Sequence, residues 1–240
     1  MIRLFFLFAA FQLIHQPLTA QISPEEYFGD SYVDALNYCQ ENRAEFSRFF
    51  LENGIKPEVA CAVIFPELIR YNRFRNFIET TALEIAYISG GKNVADFSIG
   101  RFQMKPSFVE MIENELNENL EIRLQFEKVV NYQPFFSETE VRKERLERLN
   151  QPSWQKVYLA CFLKLALKKY EVEIEQNPQD VLLILSSAYN LGLQASYADL
   201  KRIAETKTFP YGKNFTGRFS YFDVANYFYS NHSNLIAENL

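Results

Sequence analysis

Three short stretches carry side chains suited to chemistry: "IFPEL" around Glu67, "SIGRFQM" over residues 98–104, and "SAYNLG" over residues 187–192. Glu67 follows the apolar run "ACAVIF" and then Pro66. Burial disfavours an ionised carboxyl and raises its pKa, which suits a general acid near neutral pH. Pro66 cannot donate to the carbonyl four residues back, so the helix is expected to kink or end there. Glu67 would then project from a helix end into a cleft. The plainer alternative is a glutamate paired with Arg70, Arg73 or Arg75, clamping two helices together.

In the second stretch Gly100 permits positive φ and close approach of a ligand to the backbone. Ser98 and Gln103 offer a hydroxyl and an amide, groups that hydrogen-bond sugars, and Phe102 and Met104 supply an apolar wall beside them. A phosphate loop would need a G-K-[ST] ending, which is absent. The plainer alternative is a loop before a helix that opens at Pro106. In the third stretch Tyr189 and Asn190 either point a phenol and an amide into a cleft or belong to a helix end closed by Gly192.

The elements that must position these residues read as helices. Ser23-Pro24-Glu25-Glu26 is a capping box with proline at N1, and apolar residues recur at helical spacing to Gly54, predicting one N-terminal helix over 23–54. Pro57 opens a second, buried helix, "PEVACAVIFPELIRY". A third is expected from Arg73 to Ser89, closed by Gly90-Gly91. "PSFVEMIENEL" starts at Pro106, and "SETEVRKERLERLN" has a capping box in Ser137 and Glu140. The mixed charges of that last segment, spaced for i,i+4 pairing, predict a solvated face rather than a nucleic-acid contact. "PSWQKVYLACFLKLALKKY" is a long core helix and "PQDVLLILSSAYNLG" a shorter one. Strand-like alternation is scarce, so the expectation is one all-α domain.

The chain has 240 residues, 48% of them hydrophobic, enough for one sizeable core. Residues 1–21, "MIRLFFLFAAFQLIHQPLTAQ", read as a secretory signal: Arg3 is the basic start, Leu4 to Ile14 the apolar run, Pro17 the helix stop. Cleavage is expected after Ala20, giving an exported, periplasmic or secreted protein whose domain spans 21–240. The formal net charge of −5 gives no basic footprint for nucleic acid. His15 and His232 are the only histidines, and His15 leaves with the signal, so a histidine triad or zinc site has almost no material. No metal or cofactor is expected. Cys39, Cys61 and Cys161 sit in apolar helical contexts where buried free thiols are the default, and the sequence selects no disulfide pair among them.

In order and type the three stretches resemble the soluble lytic transglycosylases and the goose-type lysozymes, which share a lysozyme-like α-fold. The resemblance spans roughly residues 57–230. It implies a catalytic Glu67 and a glycan-binding turn at Ser98, Gly100, Phe102, Gln103 and Met104. It also implies a contribution from the Ala188-Tyr189-Asn190 motif. Glu67 is followed by Leu68 where that family has serine, the interval from Glu67 to Gln103 is longer, and segment 110–150 has no counterpart. The implied reaction is cleavage of the β-1,4 bond between N-acetylmuramic acid and N-acetylglucosamine in peptidoglycan strands, by a monomer without cofactor. A transglycosylase needs one carboxyl and closes a 1,6-anhydro ring, whereas a hydrolase normally needs a second. Asp96, Glu79 and Glu84 are the candidates for that second group, and none is fixed by a motif, which favours the transglycosylase. The rival from another class is an inactive exported module that binds glycan or an envelope protein.

Overall fold

α4 (Pro57–Phe74) is the central helix, and its sequence explains why. Residues Ala60 to Phe65 are fully buried, with Leu68 and Ile69 continuing the same apolar surface. Around it pack α2 (Asp30–Glu41), α3 (Arg43–Glu52), α10 (Pro152–Lys169), α12 (Val181–Leu191) and α14 (Tyr221–His232). Phe65 stacks on Phe228 of α14 with ring centroids 4.3 Å apart, and Tyr32 of α2 meets its edge at 4.9 Å.

The helix does not end at Pro66, and α4 runs through it to Phe74. An interior proline costs about 3 kcal/mol. Burial of a large apolar side chain contributes about 1.5–3 kcal/mol, so Val63, Ile64, Phe65, Leu68 and Ile69 together outweigh it. The Tyr221 hydroxyl also donates to the Val63 carbonyl at 2.9 Å, beside the acceptor that Pro66 leaves without its usual N–H. Glu67 therefore lies within a helix and not at its end.

The expected N-terminal helix is three pieces: α1 (Pro24–Phe28), α2 and α3, broken at Gly29 and Asn42. Gly29 has φ +50°, incompatible with a continuous helix. The Ser23–Glu26 capping box is present, and Gly54 ends α3 with φ +67°. Of the helix expected from Arg73 to Ser89, Arg73 and Phe74 belong to α4, residues 75–79 lie outside the described residues, and α5 is Thr80–Gly90.

The remaining helices are α6 (Pro106–Glu118), the short α7 (Leu120–Gln125) and α8 (Glu127–Val130), α9 (Glu138–Leu149), α11 (Glu171–Gln176) and α13 (Tyr197–Glu205). α9 keeps its Ser137–Glu140 capping box and the i,i+4 pairs Arg142–Glu138, Lys143–Glu147 and Arg148–Glu144. Its face is not merely solvated, however, because Arg145 and Arg148 are buried. Arg145 enters the space between α9 and α6 to meet Glu113 and Glu110 there, while Arg148 donates to the carbonyls of Val129 and Asn131. Cys39, Cys61 and Cys161 are buried free thiols.

The computed structural model describes residues 22–74, 80–211 and 217–237. The secretory signal and its cleavage site at Ala20 lie outside them, as does Glu79. Among the described residues the chain is a single all-α domain without a β-strand, and no helix is long and apolar enough to cross a membrane.

Candidate active site

Glu67 is only 5% exposed, and a single nitrogen of Arg70, one turn further along α4, donates to both of its oxygens at 3.1 and 2.8 Å. Among the described residues the ion pair considered from the sequence forms with Arg70, within one helix, and Arg75 lies outside them. Burial pushes the Glu67 carboxyl up to about 7; the charge and hydrogen bonds of Arg70, and then Lys105, oppose it without prevailing. The carboxyl is therefore poised near neutrality, where an acid can both hold and give a proton.

The turn over residues 98–104 is closed by Ile99 and Met104, whose amides and carbonyls exchange hydrogen bonds at 2.9 and 3.2 Å. Gly100 has φ +67° and Gln103 φ +50°. Gln103 accepts that conformation because its Nε2 donates back to the Gly100 carbonyl at 2.8 Å. Gln155 of α10 then clamps the turn from behind. Its Oε1 accepts from the Phe102 amide at 3.1 Å, while Nε2 donates to the carbonyls of Ile99 and Leu149 at 3.3 and 2.6 Å. The Tyr189 hydroxyl donates to the Phe102 carbonyl at 2.8 Å, joining the turn to α12 across 87 residues of sequence.

These contacts bring Glu67, Ser98, Gln103, Met104, Tyr189 and Asn190 to one cleft of about 480 Å³. Gly100 and Phe102 stand behind it. A Cβ on Gly100 would lie 1.5 Å from the Gln155 amide nitrogen, so the glycine admits a protein side chain and not a ligand. Phe102 is 1% exposed and meets Phe46 of α3 in the core at 6.3 Å. Tyr189 offers its ring to the cleft, with its hydroxyl spent on the turn and its ring edged by Phe108 and Phe162. Asn190 donates to the Tyr211 hydroxyl at 2.6 Å.

Sequence reasoning did not single out Lys105, Phe108, Met111 and Tyr211, all of which line the cleft. Nothing local marks them. Gln155 carried a signal: it is a polar residue on a helix read as core, and a buried amide must find partners. Of the three candidates for a second carboxyl, Asp96 lines the cleft, Glu84 does not, and Glu79 falls outside the described residues. Asp96 accepts from the backbone and hydroxyl of Ser107 at 3.0 and 2.8 Å, capping the first turn of α6.

Fold and cleft together define an all-α protein with a titratable carboxyl, poised near neutrality, on the wall of a cleft lined by polar and apolar side chains alike. Comparison with family models, with curated proteins and with solved structures yields no match to any of them.

Proposed function

We propose that the protein is an exported enzyme of lysozyme-like design that cleaves the β-1,4 bond between N-acetylmuramic acid and N-acetylglucosamine. The preferred form is a lytic transglycosylase. The observation that carries this reading is the Glu67 carboxyl, raised to about 7, in a cleft shared with hydroxyl and amide side chains from two distant segments. The choice of bond and sugars rests on the resemblance of the three stretches to the lytic transglycosylases.

Protonated Glu67 gives its proton to the glycosidic oxygen as the bond from the muramyl C1 to that oxygen breaks. The carboxylate then takes the proton of the muramyl C6 hydroxyl, whose oxygen bonds to C1 and closes the 1,6-anhydro ring. One carboxyl serves both steps and no water is consumed. Ser98, Gln103 and Asn190 are assigned to the sugar hydroxyls and acetamido groups, and Met104, Phe108 and the Tyr189 ring to its apolar faces.

Incubation with purified sacculi tests the reading. Wild type is expected to release muropeptides with anhydro ends, and Glu67→Gln to release none while keeping its helicity. Gln is close to isosteric and retains an oxygen for Arg70. Full activity in Glu67→Gln would remove Glu67 from the mechanism, and no release by the wild type would leave a glycan-binding module. A hydrolase is the second reading, favoured by the presence of Asp96 in the same cleft. Its products carry reducing ends, heavier by one water in a mass spectrum, and Asp96→Asn would abolish them.

A further inference from the structure

Two of the three cysteines meet inside the core. Cys39 ends the buried face that Tyr32 and Ala35 begin on α2, and Cys61 lies in the fully buried run of α4. The two helices pack on each other, and the Cys61 thiol is in hydrogen-bond contact with that of Cys39. Cys161 on α10 is equally enclosed, yet burial alone raises its thiol, whereas Cys61 also feels the Cys39 sulfur and Glu58. The tertiary structure therefore singles out one pair where the sequence singles out none. A thiol is a weak donor and a weak acceptor, so the contact does little for the core in its reduced form. A disulfide needs Cβ atoms about 3.5–4.5 Å apart, a separation that only facing side chains on packed elements reach.

We propose that Cys39 and Cys61 are joined by a disulfide in the exported protein, bracing α4 against α2, while Cys161 stays a thiol. The inference rests on the export half of the function proposed above and not on the glycan chemistry. Disulfides form and persist in exported proteins. The oxidant is a disulfide-bearing protein or small molecule of that compartment. The thiolate of one cysteine attacks the oxidant's disulfide, forming a mixed disulfide and releasing one oxidant sulfur. The second cysteine attacks the first one's sulfur, the Cys39–Cys61 bond forms, and the oxidant leaves as its dithiol. The two thiol protons and the two electrons end on the oxidant's sulfurs. The thiolate is the attacking species, and burial holds Cys61 protonated in the folded state. The exchange therefore belongs to the folding chain, before α2 docks on α4. Once docked, the bond is shut away from reductant. It closes a stretch that holds α3 and the start of α4, the helix on which Glu67 sits six residues beyond Cys61. Neither cysteine lines the cleft, so the brace acts on the helix and not on the chemistry.

The full chain, with its own signal, is expressed in a bacterium with a periplasm, recovered from that compartment, alkylated in denaturant and digested with trypsin without reductant. One alkylated thiol is expected, Cys161 in peptide 157–164. The peptide ending at Arg43 is expected to run joined to peptide 49–70, and to part from it on reduction. In parallel, reduced and denatured chain is refolded with oxidised glutathione. It is expected to carry the same link and to melt about 5–10 °C above chain refolded with reduced glutathione. Cys161→Ala should keep the link, and Cys61→Ala should lose it together with the difference in melting. Three free thiols in the periplasmic chain would overturn the proposal, as would a link through Cys161. Should Cys61→Ala fail to fold, the peptide map of the wild type decides by itself. A chain that stays in the cytoplasm with its signal uncut sinks the export reading, and the refolding arm then decides the pairing. A linked chain that releases no muropeptides from sacculi leaves the brace standing and sinks the enzyme reading alone.

Discussion

Glu67 and Glu113 are both buried glutamates paired with an arginine, and the two pairs are built to opposite ends. Arg145 grips Glu113 with two nitrogens, Nε to one oxygen at 3.1 Å and a terminal nitrogen to the other at 2.6 Å. The Tyr132 hydroxyl donates to the same carboxylate. The remaining guanidinium nitrogen reaches the Tyr87 hydroxyl at 2.6 Å and Glu110 at 3.3 Å. All three nitrogens of that guanidinium are used, and Arg145 is held more firmly charged than a free arginine, its hydrogen bonds and ionic contacts outweighing its burial. Among the described residues Glu67 has one nitrogen of one arginine and no phenol, and burial prevails, so its carboxyl rises to about 7. The same two residue types yield a fixed strut between α6 and α9 in one place and a group ready to exchange a proton in the other. The count of hydrogen bonds around the carboxylate decides which.

The largest expected effect comes from breaking the strut. Arg145→Leu leaves Glu113 buried without its counter-ion and should cost about 3–5 kcal/mol in urea unfolding. Arg70→Gln should cost under about 1 kcal/mol at neutral pH, because Glu67 can take a proton instead. Equal costs would show that the two pairs do the same structural work.

Next in size is a pH effect of Glu67. Its folded value of about 7 lies above the ordinary 4.5, so the folded state holds the proton more tightly. The resulting stabilisation is complete below about 4.5, shrinks through the interval and is gone above about 7. Its full size is on the order of 3 kcal/mol. Melting curves of wild type and Glu67→Gln from about pH 4 to pH 8 should diverge over that interval, and parallel curves would mean that Glu67 titrates as a surface carboxyl. Activity should fall on the alkaline side as the donor proton is lost.

The smallest effects separate the phenols. Tyr132→Phe removes a hydrogen bond to a charged carboxylate and should cost about 1.5–3 kcal/mol. Tyr189→Phe removes one to the neutral Phe102 carbonyl and should cost about 1 kcal/mol. Tyr189→Phe should also lower turnover on sacculi by loosening the turn, and Tyr132→Phe should not. A loss of turnover in Tyr132→Phe at unchanged stability would tie the strut to the cleft.

Helix content, the capping boxes at Ser23 and Ser137, the glycine ends at Gly54 and Gly192 and the burial of Glu67 were all written in local sequence. Each depends on residues within a few positions of one another, where backbone sterics and apolar spacing act directly. Pro66 shows where such rules stop, since its local cost was overruled by the apolar residues around it. The charged segment 138–149 shows the same limit, because nothing in its spacing says that Arg145 has a carboxylate waiting on α6. The cleft itself was a tertiary decision. The Tyr189 hydroxyl on the Phe102 carbonyl and Gln155 in the space a Cβ on Gly100 would fill join segments that the chain keeps far apart. A sequence can mark a residue that must find a partner, but the partner is chosen by which helices pack together, and that is settled by the whole core.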